Sequence, residues 1–253
     1  MKTIKKDNLT VKIYDTRDEM GAAAGLAAAE KIKAFLKTGE RVNVIFAAAP
    51  SQNEMLATLV AAEGIDWTRV NAFHMDEYIG LDANAPQAFG CFLRDRIFSK
   101  LPFGSVNYIN AESQDIETEC RRYSELLAAN PVDIVLLGIG ENGHIAFNDP
   151  HVADFNDPQI IKAVELDEIC RNQQVNDGCF SHIDQVPKFA LTLTIPTLMA
   201  AKSLVCTVPA ATKAWAVGKT VNGEISEHCP ATVMRRHADA CMYCDSDSGK
   251  ELL

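Results

Sequence analysis

The segment from Ile134 to Pro150 limits this chain more than any other. An apolar run, Ile134 to Leu137, stops at three glycines within six residues, Gly138, Gly140 and Gly143. His144 follows the third glycine, Asp149 comes five positions later, and Pro150 closes the segment. A short apolar run ending in glycine reads as a buried strand whose C-terminal end opens into a tight loop. Glycines there let the backbone take positive φ and let a ligand come close. The loop holds one imidazole and one carboxylate near each other. Gly-x-Gly by itself is common in strand-to-helix turns. Nor is this the Gly-x-Gly-x-x-Gly of a dinucleotide site, because His144 and Pro150 intervene before any helix. The chemical meaning of the loop rests on what else the chain carries.

A hydrophobic fraction of 47% over 253 residues is ample for a sizeable core. No run of about 18 apolar residues occurs, which excludes an apolar membrane-spanning helix. Met1 to Asp7 lack the apolar core of a signal peptide, so a cytoplasmic location is expected. The net charge of −10 argues against nucleic acid or an anionic membrane as partner. An anionic small substrate stays compatible if a few Arg or Lys side chains are placed for it. The eight cysteines are scattered and are expected to be reduced and largely buried. Cys241 and Cys244 form the one close pair and have no second half, so no zinc site is expected. Three positions apart on a strand, they would face opposite sides.

In chain order, Thr16 and Glu19 form a capping box ahead of an Ala-rich helix, Arg17 to Lys37, which Gly39 ends. Val42 to Ala47 is a strand, Ala48 to Pro50 a turn, and Ser51 with Glu54 a second capping box that opens a helix to Ala62. A strand, a short turn and a helix start make a place where anions dock. Val70 to Met75 is a strand running into Asp76 and Glu77, two carboxylates at a strand end, where open α/β sheets place their chemistry. Helices are predicted over 88–100 and 116–130, and a strand over 133–137. Residues 151–184 read as irregular and polar, a candidate lid. A strand over 189–194 precedes a short helix with Pro196 near its start. A strand over 203–208, a helix ending near Asn222, a helical turn over 230–236 and a strand over 240–245 complete the pattern. The alternation, without repeat or linker, predicts a single α/β domain over residues 1–253, built on a mainly parallel, Rossmann-like sheet flanked by helices.

Three segments together carry a family resemblance. Phe73 to Leu81, with Asp76-Glu77-Tyr78, resembles the Asp-Glu-Tyr segment of glucosamine-6-phosphate deaminases. Gly138 to Pro150 resembles that family's Gly-x-Gly-x-Asp-Gly-His-Ile-Ala-Phe-Asn-Glu-Pro loop. Gln185 to Thr192 is similar to its Val-Pro-Lys-Tyr-Ala-Leu-Thr. Order and spacing match, so the resemblance spans nearly the whole chain. The related 6-phosphogluconolactonases share Gly-His but continue differently from the Ile145-Ala146-Phe147-Asn148 found here.

The resemblance implies a hydrolase-type deaminating isomerase of amino sugar metabolism. It opens a 2-amino-2-deoxyhexose 6-phosphate ring, isomerises aldose to ketose and releases ammonia. It assigns Asp76 as the base moving a proton between C2 and C1, with Glu77 beside it in substrate binding. His144 assists ring opening, and Asp149 holds the imidazole. Ala49, Ser51, Gln52, Arg171 and Lys213 are implied as phosphate or substrate contacts. No metal and no cofactor is implied, and the resemblance leaves a homo-oligomer open. Two departures stand out: Asn142 occupies the position of the family's Asp before Gly-His, and Asp149 that of its Glu. The phosphate turn also carries Ala47-Ala48-Ala49 in place of glycines. Galactosamine 6-phosphate as substrate, a lactonase and a phosphosugar sensor are therefore the alternatives to a glucosamine-6-phosphate deaminase.

Overall fold

The computed structural model describes all 253 residues. Its chain opens with a hairpin, β1 (Lys2–Lys6) and β2 (Leu9–Ile13), antiparallel about Asp7 and Asn8, with Asp7 at φ 52°. There follow α1 (Arg17–Thr38), β3 (Val42–Phe46), α2 (Asn53–Val60), β4 (Val70–His74), β5 (Asp76–Tyr78) and α3 (Phe89–Leu93), which runs on as a π-helical turn. Next come β6 (Ser105–Asn107), α4 (Ile116–Ala129), β7 (Ile134–Leu137), β8 (Ile161–Glu165) and α5 (Glu168–Asn176). The chain finishes with β9 (Phe189–Leu193), α6 (Ile195–Met199), β10 (Ser203–Val208), α7 (Ala214–Asn222) and β11 (Ala240–Cys244).

Eight strands form one sheet in the order β1-β2-β11-β10-β7-β3-β4-β6, parallel except for the edge hairpin. From β3 the chain builds outward through β4 to β6, then returns to lay β7 on the other side of β3. That reversal between β3 and β7 opens a crevice at the C-terminal strand ends, the usual ligand site of an open α/β sheet. Alternate residues of the central strands feed two buried clusters: Ile134 and Leu136 point into one, Val135 and Leu137 into the other. Cys241 and Cys244 likewise fall in different clusters, on opposite faces as their spacing requires. The mainly parallel α/β sheet expected from the sequence is present, and no helix is long and apolar enough to cross a membrane.

Three expectations need correction. Asp76 and Glu77 do not simply trail the parallel strand. With Tyr78 they form β5, which pairs antiparallel with β9 in a second, three-stranded sheet, β5-β9-β8. Residues 151–184 are not a structureless lid, since they contain β8 and α5. In β8, Ile161 and Val164 are buried while Ala163 and Glu165 are exposed, and Asp167 caps α5 by accepting from Cys170 N. The second capping box does not form either. Pro50 starts a 3-10 turn, Pro50–Gln52, so Ser51 lies inside that turn and Gln52 takes the cap position of α2 without a side-chain bond. The capping box at Thr16 and Glu19 is intact.

Candidate active site

The crevice is lined by the end of β3 (Ala47, Ala48, Ala49), the turn beyond it (Ser51, Gln52) and the loop after β7 (Gly138, Ile139, His144, Ala146, Phe147). Met75 and Asp76, Phe89, Gln173, Gln174 and Lys213 complete it. It is a cleft open to solvent, with about 480 Å³ of space between its walls and mouth. Of the residues singled out in the sequence, Asp76, His144, Ala49, Ser51, Gln52 and Lys213 thus share one cleft. Asn142 and Asp149 sit directly behind His144.

The glycine loop is shaped to fold His144 back on itself. A Cβ on Gly140 would collide with the His144 ring, so only glycine leaves the imidazole its place. Gly143 has φ +83°, and Ala146, at φ 50°, is a rare non-glycine residue in the left-handed region. The loop is fastened from behind by Asn148, whose Nδ2 donates to the carbonyls of Ile145 at 2.9 Å and Leu193 at 2.8 Å. Phe147 N donates to Thr192 Oγ1 at 3.1 Å. Thr192, the last residue of the third family-like segment, therefore serves as a strut of the loop.

Asp149 is fully buried and lies 2.9 Å from His144 Nδ1 through Oδ1. That ring nitrogen makes no aligned hydrogen bond, so the contact is chiefly electrostatic. Asn142 Nδ2 donates to Asp149 Oδ1 at 2.9 Å and to Asp167 Oδ2 at 3.0 Å, while Asn142 Oδ1 accepts from His144 N at 3.0 Å. Asp167 N donates to Asp149 Oδ2 at 3.2 Å. Burial pushes the Asp149 carboxyl up, but the charge of the nearby His144 imidazole and the hydrogen bonds from Asn142 and Asp167 outweigh it, leaving it lowered. His144, Asp149 and Cys170 bring ligand-type atoms within 4.8 Å of one another, as do Asp149, His151 and Asp167. Donors already surround Asp149, an arrangement that fits a carboxylate held for an imidazole better than one offered to a cation.

Asp76 is held differently. Burial, and then the neighbouring Glu77 charge, push its carboxyl well above the usual range, so it binds a proton readily. Beneath it lies His74, fully buried, which accepts from Ile109 N through Nε2 at 2.8 Å and contacts the Asp76 carbonyl through Nδ1 at 3.0 Å. A ring nitrogen that accepts a backbone N–H carries no proton, so Nδ1 bears the hydrogen and the ring is neutral. Burial pulls His74 down to about 4. Glu77 is not a cleft residue. On a strand its side chain opposes that of Asp76. It accepts the backbone N–H groups of Tyr78 at 2.9 Å, Phe89 at 3.0 Å and Gly90 at 2.8 Å, which fixes the start of α3.

At the far end, Lys213 is 4% exposed and its Nζ has no partner. Burial lowers its affinity for a proton, with Asp177, Glu141 and Cys170 opposing. Gln52 Nε2 donates to Ser51 Oγ at 3.0 Å and the Thr207 carbonyl at 3.4 Å, which leaves Gln52 Oε1 and Thr207 Oγ1 buried and unpartnered. Arg171 does not line the cleft: its Nη2 donates to the carbonyls of Ile183 at 2.6 Å and Val186 at 3.0 Å, while its Nε is buried without a partner. Sequence reasoning missed Asp167, Gln173 and Gln174, all in the stretch read as irregular. The one available signal was Asp167 three positions before Cys170, a helix cap.

A buried carboxylic acid, a carboxylate-backed imidazole and a buried lysine gather at the reversal point of a parallel sheet, the equipment of an acid–base enzyme with a cationic side chain for an anionic substrate. The sequence profile of the glucosamine-6-phosphate isomerases/6-phosphogluconolactonase family matches residues 15–243. A protein of Bacillus cereus (strain B4264) named glucosamine-6-phosphate deaminase is 36% identical over 240 residues, covering 95% of this chain and 88% of that protein. One of the same name from Bacillus thuringiensis (strain Al Hakam) is 35% identical over 240 residues, with the same coverage of 95% and 88%. Among solved structures, a monomeric glucosamine-6-phosphate deaminase superposes with a TM-score of 0.86 at 30% identity, over 95% of this chain and 99% of that one. The 6-phosphogluconolactonase of Thermotoga maritima shares the fold, with a TM-score of 0.77 at 16% identity over 94% of this chain and 99% of that one. The chain belongs to the glucosamine-6-phosphate isomerase/6-phosphogluconolactonase family.

Proposed function

We propose that this chain is a glucosamine-6-phosphate deaminase, converting glucosamine 6-phosphate and water to fructose 6-phosphate and ammonia. The observation that carries this reading is the Asp76 carboxyl facing the same cleft as His144 and Lys213. Hydrolysis of a lactone needs an imidazole but no base at C2, whereas an aldose–ketose shift needs one. In this reading His144 passes the C1 hydroxyl proton to the ring oxygen, and Asp149 steadies the imidazolium that forms in between. Asp76 takes the C2 proton and returns it to C1 while a second proton passes from the amine to O1, which leaves an imine at C2 and a hydroxyl at C1. Water adds there and ammonia departs. An acid raised by burial suits a group that must take up and return one proton.

Lys213, Ser51 and Gln52 hold the phosphate, and the buried, unpartnered Lys213 Nζ supports that role. All these groups lie on one chain, so one chain suffices for the chemistry. Eight free thiols suit a reducing cytoplasm.

Ammonia and fructose 6-phosphate are to be measured from glucosamine 6-phosphate beside galactosamine 6-phosphate, with Asp76→Asn as control. Release from the first sugar, abolished in the variant, supports the reading, and preference for the second moves the substrate to the galacto isomer. No release from either, with a phosphosugar still raising the melting temperature, sinks the deaminase and leaves a sensor.

A further inference from the structure

Behind His144 two carboxylates approach each other through a single neutral side chain. Asn142 Oδ1 accepts from His144 N, which fixes the amide so that both hydrogens of Nδ2 point away from the loop. One goes to Asp149 Oδ1 at 2.9 Å and the other to Asp167 Oδ2 at 3.0 Å. Asp167 is also tied on two further sides: its N donates to Asp149 Oδ2 at 3.2 Å, and its Oδ1 caps α5 at Cys170 N at 2.6 Å. The ring Asn142–Asp149–Asp167 therefore closes on itself, and it sets the angle at which Asp149 meets His144. The titratable groups facing it are His144, His151 and Cys170.

We propose that Asp167 is a positioning residue for the Asp149–His144 pair, and that Asn142 and Asp167 are a matched pair, amide against carboxylate. The proposal rests on the deaminase reading only for its kinetic readout. An aspartate at 142 would set a third carboxylate against two others at hydrogen-bond distance, with no proton between them. One of the three would then have to take up a proton, as crowded carboxylates do. An asparagine at 167 would face the Asn142 amide donor to donor whenever its oxygen kept the helix cap. Exchanging both residues restores two carboxylates and one amide, and returns the donor–acceptor match between 142 and 167.

The test is a double-mutant cycle with Asn142→Asp, Asp167→Asn and the exchange Asn142→Asp with Asp167→Asn, read in two independent ways. In melting temperature against pH, the deficit of Asn142→Asp relative to wild type grows as pH rises from 5 to 8, because its extra carboxyl has a folded value above its unfolded one. The exchange removes the part of that deficit that arises between 142 and 167, while the carboxylate at 142 still faces Asp149. In kinetics, Asn142→Asp lowers kcat/KM and moves its acid limb upward, and the exchange recovers about tenfold over Asn142→Asp, the size of a contact coupling. Asp167→Ser keeps a helix cap. It is expected to lower kcat about tenfold with KM within about twofold and the melting temperature near wild type. Strict additivity in the melting cycle, or wild-type kcat in Asp167→Ser, overturns the proposal. Should wild type release no ammonia, the deaminase reading fails alone, and the melting cycle still decides on the pair.

Discussion

Around His144 the buried polar side chains are densely joined: Asn142 makes three hydrogen bonds, and Asp149 is met by His144, Asn142 and Asp167. At the Ala49 end of the same cleft, Lys213 Nζ, Gln52 Oε1 and Thr207 Oγ1 are buried and meet nothing. A densely joined network holds one geometry before substrate arrives, even with His144 Nδ1 and Asn148 Oδ1 left without an aligned partner. Unjoined buried polar atoms cost stability until something fills them. The cleft thus has a finished end around His144 and an unfinished end around Lys213.

If the finished end is where protons move, Asp76→Asn should cause the largest loss, about 10³–10⁴-fold in kcat with little change in KM. Loss of C2-proton exchange with deuterated solvent checks that the step itself has gone. At the unfinished end, Lys213→Met should raise KM for the phosphosugar about 100-fold, the effect of losing a buried charged contact. The same change should stabilise the unliganded protein by about 1 kcal/mol, since a buried cation without a partner is removed. Melting curves with and without inorganic phosphate distinguish the two: phosphate stabilises wild type and not the variant. A Lys213→Met protein no more stable than wild type would erase the contrast between the ends.

The wiring beneath Asp76 gives a pH-dependent effect. His74 has a folded value of about 4, below its ordinary 6.5, so the cost of charging it falls on the acid side. Its stabilisation is complete above pH 6.5 and is lost as pH drops toward 4, roughly 3 kcal/mol in all. Denaturant titrations of wild type and His74→Asn should therefore converge with falling pH, and parallel curves would remove the neutral-ring assignment. The smallest effect belongs to Arg171→Ala. Its guanidinium serves the turn after α5, so KM should stay within about twofold of wild type. A tenfold rise would return Arg171 to the phosphate.

What the sequence disclosed follows from how local each feature is. The strand-to-loop break at Gly138, the imidazole at 144 and the helix of α1 with its capping box are written in neighbouring residues, and all stand in the fold. The pairing of β8 with β9 is not local, and a strand with only Ile161 and Val164 buried gives a thin pattern. The reading of 151–184 as a lid failed there, and Asp167, Gln173 and Gln174 were lost with it. The N-terminal hairpin did have a signal, Asp7-Asn8 between two five-residue strands, a turn pair suited to positive φ. Arg171 shows the limit of spacing alone: position along a helix does not say where a long side chain finds its acceptors. The family's missing carboxylate at 142 looked like a lost charge. In the folded chain the amide is what lets Asp149 and Asp167 stand side by side.

Asp76 rides on the small sheet, while His144, Ser51 and Lys213 hang from the ends of the large one. In the proposed reaction the reacting carbons and the phosphate are thus gauged against two frames, joined by Asn148 and Thr192, by the chain crossing from β4 to β5 and by buried clusters to which both sheets contribute, Leu191 and Leu193 with Phe73 and Leu137 among them. The distance from Lys213 to Asp76 is then set by how the two sheets pack on one another and not by either sheet alone.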